Sequence, residues 1–94
     1  MAANLRSLTK HIRELRVHLC QTSPASVGVR NFVEQNYVDI KRNNPDLPIL
    51  IRECSGVQPR LIARFDHGVE KAVCLSDKSA EEVVSSIETL AMSQ

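Results

Sequence analysis

The stretch LRVHLCQTSPASVGVRNFVEQNYVDIKRNNPDLPILIREC, residues 15–54, decides the fold. It holds two short aliphatic runs, Leu15 to Cys20 and Pro48 to Cys54, and short runs of this kind read as strands. Between them Ser23-Pro24 starts a helix: a hydroxyl N-cap is followed by proline at the first helical position, where its missing N–H costs nothing. Val29, Phe32, Val33, Tyr37 and Ile40 recur at helical spacing, with Asn36 as a polar break, while Arg30, Glu34, Lys41 and Arg42 are expected to face water. Asn43, Asn44, Pro45 and Asp46 stop the helix, because proline disfavours the helical conformation in the residue before it and asparagine favours turns. The result is a βαβ unit whose parallel strands end on the same edge of the sheet, with Cys20 closing one and Cys54 the other. Adjacent strands lie ~5 Å apart and a disulfide wants Cα atoms at roughly 4.4 to 6.8 Å, so the two cysteines either bond or form a vicinal thiol site. A bond would close a loop of about 35 residues and add roughly 4 kcal/mol of stability on the chain-entropy model. The alternative is a pair of reduced, inert thiols.

Downstream, Pro59 to Phe65 and Val69 to Leu75 alternate around Asp66-His67-Gly68 and read as an antiparallel hairpin, with Gly68 supplying a positive φ. Cys74 is expected to be a small core residue there. Ser79 to Met92 carries Ala80, Val83, Val84, Ile87, Leu90 and Ala91 on one stripe, with Ser79 or Ser76 as cap and Glu81 and Glu82 where the helix dipole favours acids. Upstream, residues 1–12 contain Arg6 and Lys10 but no acid and are expected to be a flexible tail preceding one domain, 13–94. That composition suits mitochondrial import and equally an ordinary terminus.

Ninety-four residues with a 43% hydrophobic content bound the chain to one small domain with one core. Twelve basic and eleven acidic residues give a net charge of +1, which provides no strong overall field for a polyanion and argues against a nucleic-acid partner. The apolar runs are far shorter than the ~20 residues that span a bilayer, so direct membrane insertion is not expected. His11, His18 and His67 lack cysteine or histidine companions at metal-ligand spacing, and no glycine-rich phosphate loop or Ser-His-Asp grouping stands out. His18 reads as a structural histidine near Arg52 or Glu53, and His67 as a turn residue.

The order β-α-β-β-β-α, α/β with a four-stranded mixed sheet packed with helices, resembles a thioredoxin-like arrangement from which the helix between the second and third strands is missing, since Ser55 to Gln58 is too short to hold one. That analogy makes Pro59, directly before an apolar strand, a candidate cis-proline, the trans form being the usual state of an X-Pro bond. It also raises a single-cysteine thioredoxin- or glutaredoxin-like redox protein as an alternative function. Against that, Ser23 stands where a resolving cysteine would be, and Cys20 sits at a strand end rather than on a helix.

HLCQTSPASVGVRNFVEQNY and then KRNNPDLPILIRECSGVQPRLIARF resemble a family of small thioredoxin-like accessory subunits of mitochondrial respiratory complex I, the NADH:ubiquinone oxidoreductase, related more loosely to small mitochondrial ribosomal proteins. The resemblance runs from about Leu15 to Leu90, and Cys74 within that span is not part of the family's motif. It implies a non-catalytic subunit on the matrix side of the inner membrane that holds no cofactor. Its partners would be other complex I subunits, above all the large iron–sulfur subunit of the NADH-oxidising module. It further implies that Cys20 and Cys54 can form a disulfide. A mitochondrial ribosomal protein remains a further alternative. Independently of the resemblance, Arg52, Arg60 and Arg64 are candidate interface residues, since arginine is enriched at interfaces and pairs bidentately with carboxylates.

Overall fold

The computed structural model describes residues 12–92. Its elements are β1 (Ile12–Leu19), α1 (Val27–Asn43), β2 (Ile49–Glu53), β3 (Arg60–Phe65), β4 (Glu70–Cys74) and α2 (Ala80–Met92). The strands form one sheet in the order β2-β1-β3-β4. β1 pairs parallel with β2 and antiparallel with β3, which pairs antiparallel with β4. The fold is therefore α/β with a four-stranded mixed sheet, in the element order the sequence predicts.

The strand boundaries differ at the amino end. β1 starts three residues before the aliphatic run, and Ile12, expected at the end of the tail, is fully buried. A register irregularity between Ile12 and Glu14 returns Ile12 to the core side, which is why simple alternation from Leu15 misses it. Residues 1–11 of the expected tail lie outside the described residues.

One core holds the molecule together. Leu15, Val17 and Leu19 of β1 and Leu61, Ala63 and Phe65 of β3 meet Val29, Phe32 and Ile40 of α1 and Val83, Ile87 and Leu90 of α2 in a single cluster. Both helices thus cover the same side of the sheet. The Ser55–Gln58 connection holds no helix, and the opposite side is left without a layer among the described residues. Leu47 and Leu75, in connections, join the core as well.

Caps set the helix ends. Ser23 Oγ accepts the Ala25 N–H at 3.2 Å, and Pro24–Ser26 forms one 3-10 turn before α1 begins, slightly later than Ser23-Pro24 suggested. At the other end Asn44, buried, donates from its backbone and side chain to the Ile40 carbonyl. Ser79 Oγ accepts from Glu82 N at 3.2 Å while Glu82 Oε1 accepts from Ser79 N at 2.9 Å, a reciprocal capping box that selects Ser79 over Ser76. In the β3–β4 turn Gly68 has φ +75° as expected, and His67 joins it at +64°. Gly28, in the first turn of α1, is required by proximity: a Cβ there would sit 1.7 Å from the Lys78 carbonyl oxygen.

No peptide bond among the described residues is cis, so Pro59, a candidate for the cis form, is trans. Pro59 is buried at the head of β3, and its carbonyl accepts the Leu75 N–H at 2.9 Å, which continues the β3–β4 ladder with the chain extended.

Candidate functional site

Two features outside the core carry chemistry: the thiol-bearing corner at the carboxyl ends of β1 and β2, and the uncovered side of the sheet. At the corner, Cys54 N donates to Leu19 O at 3.0 Å, which carries the parallel pairing up to the two cysteines. Cys20 is buried, at 3% exposure, and its Sγ accepts the Gly56 N–H at 3.4 Å and contacts Thr22 Oγ1 at 3.7 Å. Hydrogen bonding from the Gly56 N–H, then from Thr22, brings the Cys20 thiol down from an ordinary 9.0 to about 6. Its own N–H is held by Ser26 Oγ at 3.2 Å, and Arg30 donates to the Cys20 and Ser23 carbonyls at 2.8 and 3.0 Å. Arg30, expected in water, instead ties α1 to the end of β1; Lys41 likewise donates to the Leu47 carbonyl at 2.6 Å.

All three thiols are free in the structure, with Cys54 exposed beside the buried Cys20. Cys74 is also exposed, which corrects its assignment to the core: its register partner is Arg60, whose neighbour Leu61 takes the buried side. A hydrogen bond from the Ser76 hydroxyl lowers the Cys74 pKa. A redox enzyme would need an accessible, acidic thiol; Cys20 is acidic but enclosed.

The uncovered side of the sheet is ordered in rows by the register. Glu14, Arg64 and Glu70 form one row. Leu50, Arg16, Ile62 and Ala72 form the next. Arg52, His18, Arg60 and Cys74 form the third, on the side of the thiol corner. Ion pairs separate the cations of these rows. Arg16 contacts Glu14 at 3.1 Å and pairs with Glu70, and Arg64 lies 3.7 Å from Glu14. Arg52 and Arg60 are exposed and take part in no ion pair among the described residues. The three arginines singled out from the sequence therefore do share one side, but Arg64 is engaged within the sheet and His18 stands between the other two. A groove of about 300 Å³ lined by His18, Val57, Gln58 and Arg60 opens at the end of this row.

The helix side is different in character. A groove of about 360 Å³ between α1 and α2 is lined by Gln35, Asn36, Glu81, Val84 and Glu88 among others. Asn36, read from sequence as a break in the apolar stripe, is buried there at 7% exposure. Among the described residues no group of three or more histidine, cysteine or acidic side chains is arranged to hold a metal ion, and no helix is long and apolar enough to cross a membrane.

Comparison with known proteins follows the same residues. Residues 29–80 match the model of the mitochondrial ribosomal protein L51 / S25 / CI-B8 domain. The chain is similar to the NADH dehydrogenase (ubiquinone) 1 alpha subcomplex subunit 2 of Arabidopsis thaliana, at 53% identity over 93% of this chain and 90% of that one. It is 56% identical to the protein of the same description from Mus musculus, over 84% of this chain and 80% of that one. Against the NADH-ubiquinone oxidoreductase 10.5 kDa subunit of Neurospora crassa the identity is 43% over 86% of this chain and 89% of that one.

Proposed function

Since the chain belongs to the L51 / S25 / CI-B8 domain family, and within it to the NADH dehydrogenase (ubiquinone) 1 alpha subcomplex subunit 2 group, we propose that it is a non-catalytic accessory subunit of mitochondrial complex I. The observation that carries this reading is identity above one half to two proteins so described, maintained over most of both chains. The subunit supports assembly and stability of the matrix-arm module that oxidises NADH, docked on its large iron–sulfur subunit at the matrix side of the inner membrane as a peripheral protein. A standard interface of about 800 Å² per partner is within reach of one side of a sheet of this size, and Arg52, Arg60 and Arg64 lie on such a side. Oxidation of Cys20 and Cys54 to a disulfide belongs to the same reading: the backbone bond between Cys54 and Leu19 brings the two strand ends together. Differential alkylation of the mature complex with and without reductant tests it, the paired state being read as two thiols released only by reduction.

The reading as a whole is tested by native-gel migration of the tagged chain from gently solubilised mitochondria beside an NADH-dehydrogenase activity stain. Co-migration with the activity band is the expected result. Migration as a free small protein would return attention to Cys20, whose acidity suits a monothiol redox protein although its burial does not. Migration with ribosomal subunits would favour the other branch of the domain family.

A further inference from the structure

We infer that the uncovered side of the sheet is the docking surface, and that its occupant is a partner protein segment which lays carboxylates along Arg52, His18 and Arg60 and apolar side chains on Leu50, Ile62 and Ala72. This rests on the subunit reading and assigns it a surface and a partner chemistry.

The register makes the pattern explicit. His18 is the direct cross-strand partner of both Arg52 and Arg60, so two arginines and a histidine stand in a line across β2, β1 and β3. Like charges facing one another across a sheet are destabilising, and the sheet elsewhere avoids this by interposing Glu14 and Glu70 among its arginines. The Arg52–His18–Arg60 row has no such acid among the described residues, so it offers unpaired positive charge that a carboxylate-bearing surface would complement. Residues 1–11 do not supply it, for they contain no acidic side chain. Next to this row Leu50, Ile62 and Ala72 flank Arg16, whose charge Glu14 and Glu70 already meet. An apolar strip beside a cationic row fits an amphipathic acidic segment of a protein.

RNA fits less well. Single-stranded nucleic acid is held largely by stacking on aromatic rings, and of the chain's Phe and Tyr side chains Phe32 and Phe65 are in the core and Tyr37 is on α1, which leaves His18 as the one ring on this side of the sheet among the described residues.

The full chain with Ile62→p-benzoylphenylalanine, incorporated in mitochondria and photo-crosslinked, reads the occupant directly; Val38→p-benzoylphenylalanine, at an exposed position of α1, is the control. The double variant Arg52→Glu/Arg60→Glu is compared with Glu81→Lys/Glu88→Lys in the helix groove, each first shown to melt as the wild type does. The expected result is a crosslink from residue 62 to a peptide rich in Asp and Glu from another subunit. The arginine double variant alone should show about a tenfold loss of co-migration with the complex. A crosslink only from residue 38, wild-type co-migration of the arginine variant, an adduct with RNA or an adduct with a second copy of the chain would each overturn the inference. If the wild-type chain does not enter the complex, the subunit reading fails, and the residue-62 adduct still decides what the sheet binds.

Discussion

At Ser26 a single hydroxyl joins two pieces of the fold. It lies fully buried in the turn before α1, and its oxygen takes the N–H of Cys20 just after β1. Removing it leaves a buried donor without a partner, which costs about 1 to 3 kcal/mol. Ser26→Ala is expected to lower the urea midpoint accordingly, with an unchanged denaturant slope. Cys20 beside it makes stability depend on pH. Its folded pKa of about 6 lies below the ordinary 9.0, so its contribution is complete above pH 9 and is lost as pH falls through 6. Under reducing conditions the midpoint difference between the wild type and Cys20→Ala should grow from pH 6 to pH 9; a difference that is flat or shrinks over that range would contradict the hydrogen bonding described. Little of this corner was legible beforehand. The sequence marks Cys20 as the end of a strand, but the Gly56 N–H that acidifies it comes from a connection 36 residues away, and no local pattern encodes the approach.

Elements were far more legible, because periodicity and capping are local. The helical spacing of Val29, Phe32 and Ile40 and the alternation of Leu61, Ala63 and Phe65 correspond to side chains now buried in the core. The Ser79–Glu82 box was half visible, since the serine and the acids stand in sequence while the choice between Ser76 and Ser79 depends on where the turn ends. Ser79→Ala is expected to cost about 1 kcal/mol of thermal stability, most clearly in the helical circular dichroism signal. What the sequence conceals is contact between elements. Gly28 reads as an indifferent helix residue, yet the Lys78 carbonyl occupies the place of its side chain. Gly28→Ala should destabilise by more than about 2 kcal/mol, because backbone rather than a movable side chain must give way; a melting temperature equal to the wild type's would refute that contact. Cys74 and Pro59 show the same gap: strand alternation gives two sides without saying which is covered, and the analogy that made Pro59 a candidate for a cis bond carries no information about its place in the β3–β4 ladder.

For the whole molecule a net charge of +1 is an average over two unlike sides. Glu81 and Glu88 border the helix groove, while Arg52 and Arg60 stand unpaired by described residues on the sheet. A composition total cannot register that separation, which is why the argument from charge against nucleic acid needed the sheet rows to support it. The same rows distinguish arginines that looked equivalent. Arg64→Ala removes a partly exposed pair with Glu14 and should change stability by less than about 1 kcal/mol, whereas Arg52→Ala should leave the isolated chain's unfolding free energy, read from urea titration, within about 0.5 kcal/mol of the wild type.

The position of β1 in the middle of the sheet has a bearing on how the chain reaches this state in time. Among the described strands the earliest in sequence is the one flanked on both sides, and its partners β2 and β3 follow dozens of residues later. Only the β3–β4 hairpin and the two helices can form from neighbouring residues, so closing the sheet is a long-range event of the kind that slows folding. Until Phe65 has been synthesised, the nascent chain carries a central strand with one edge unfilled. A chain built in this order stays open to holding factors, or to passage through a narrow pore, until β3 is available to close the sheet.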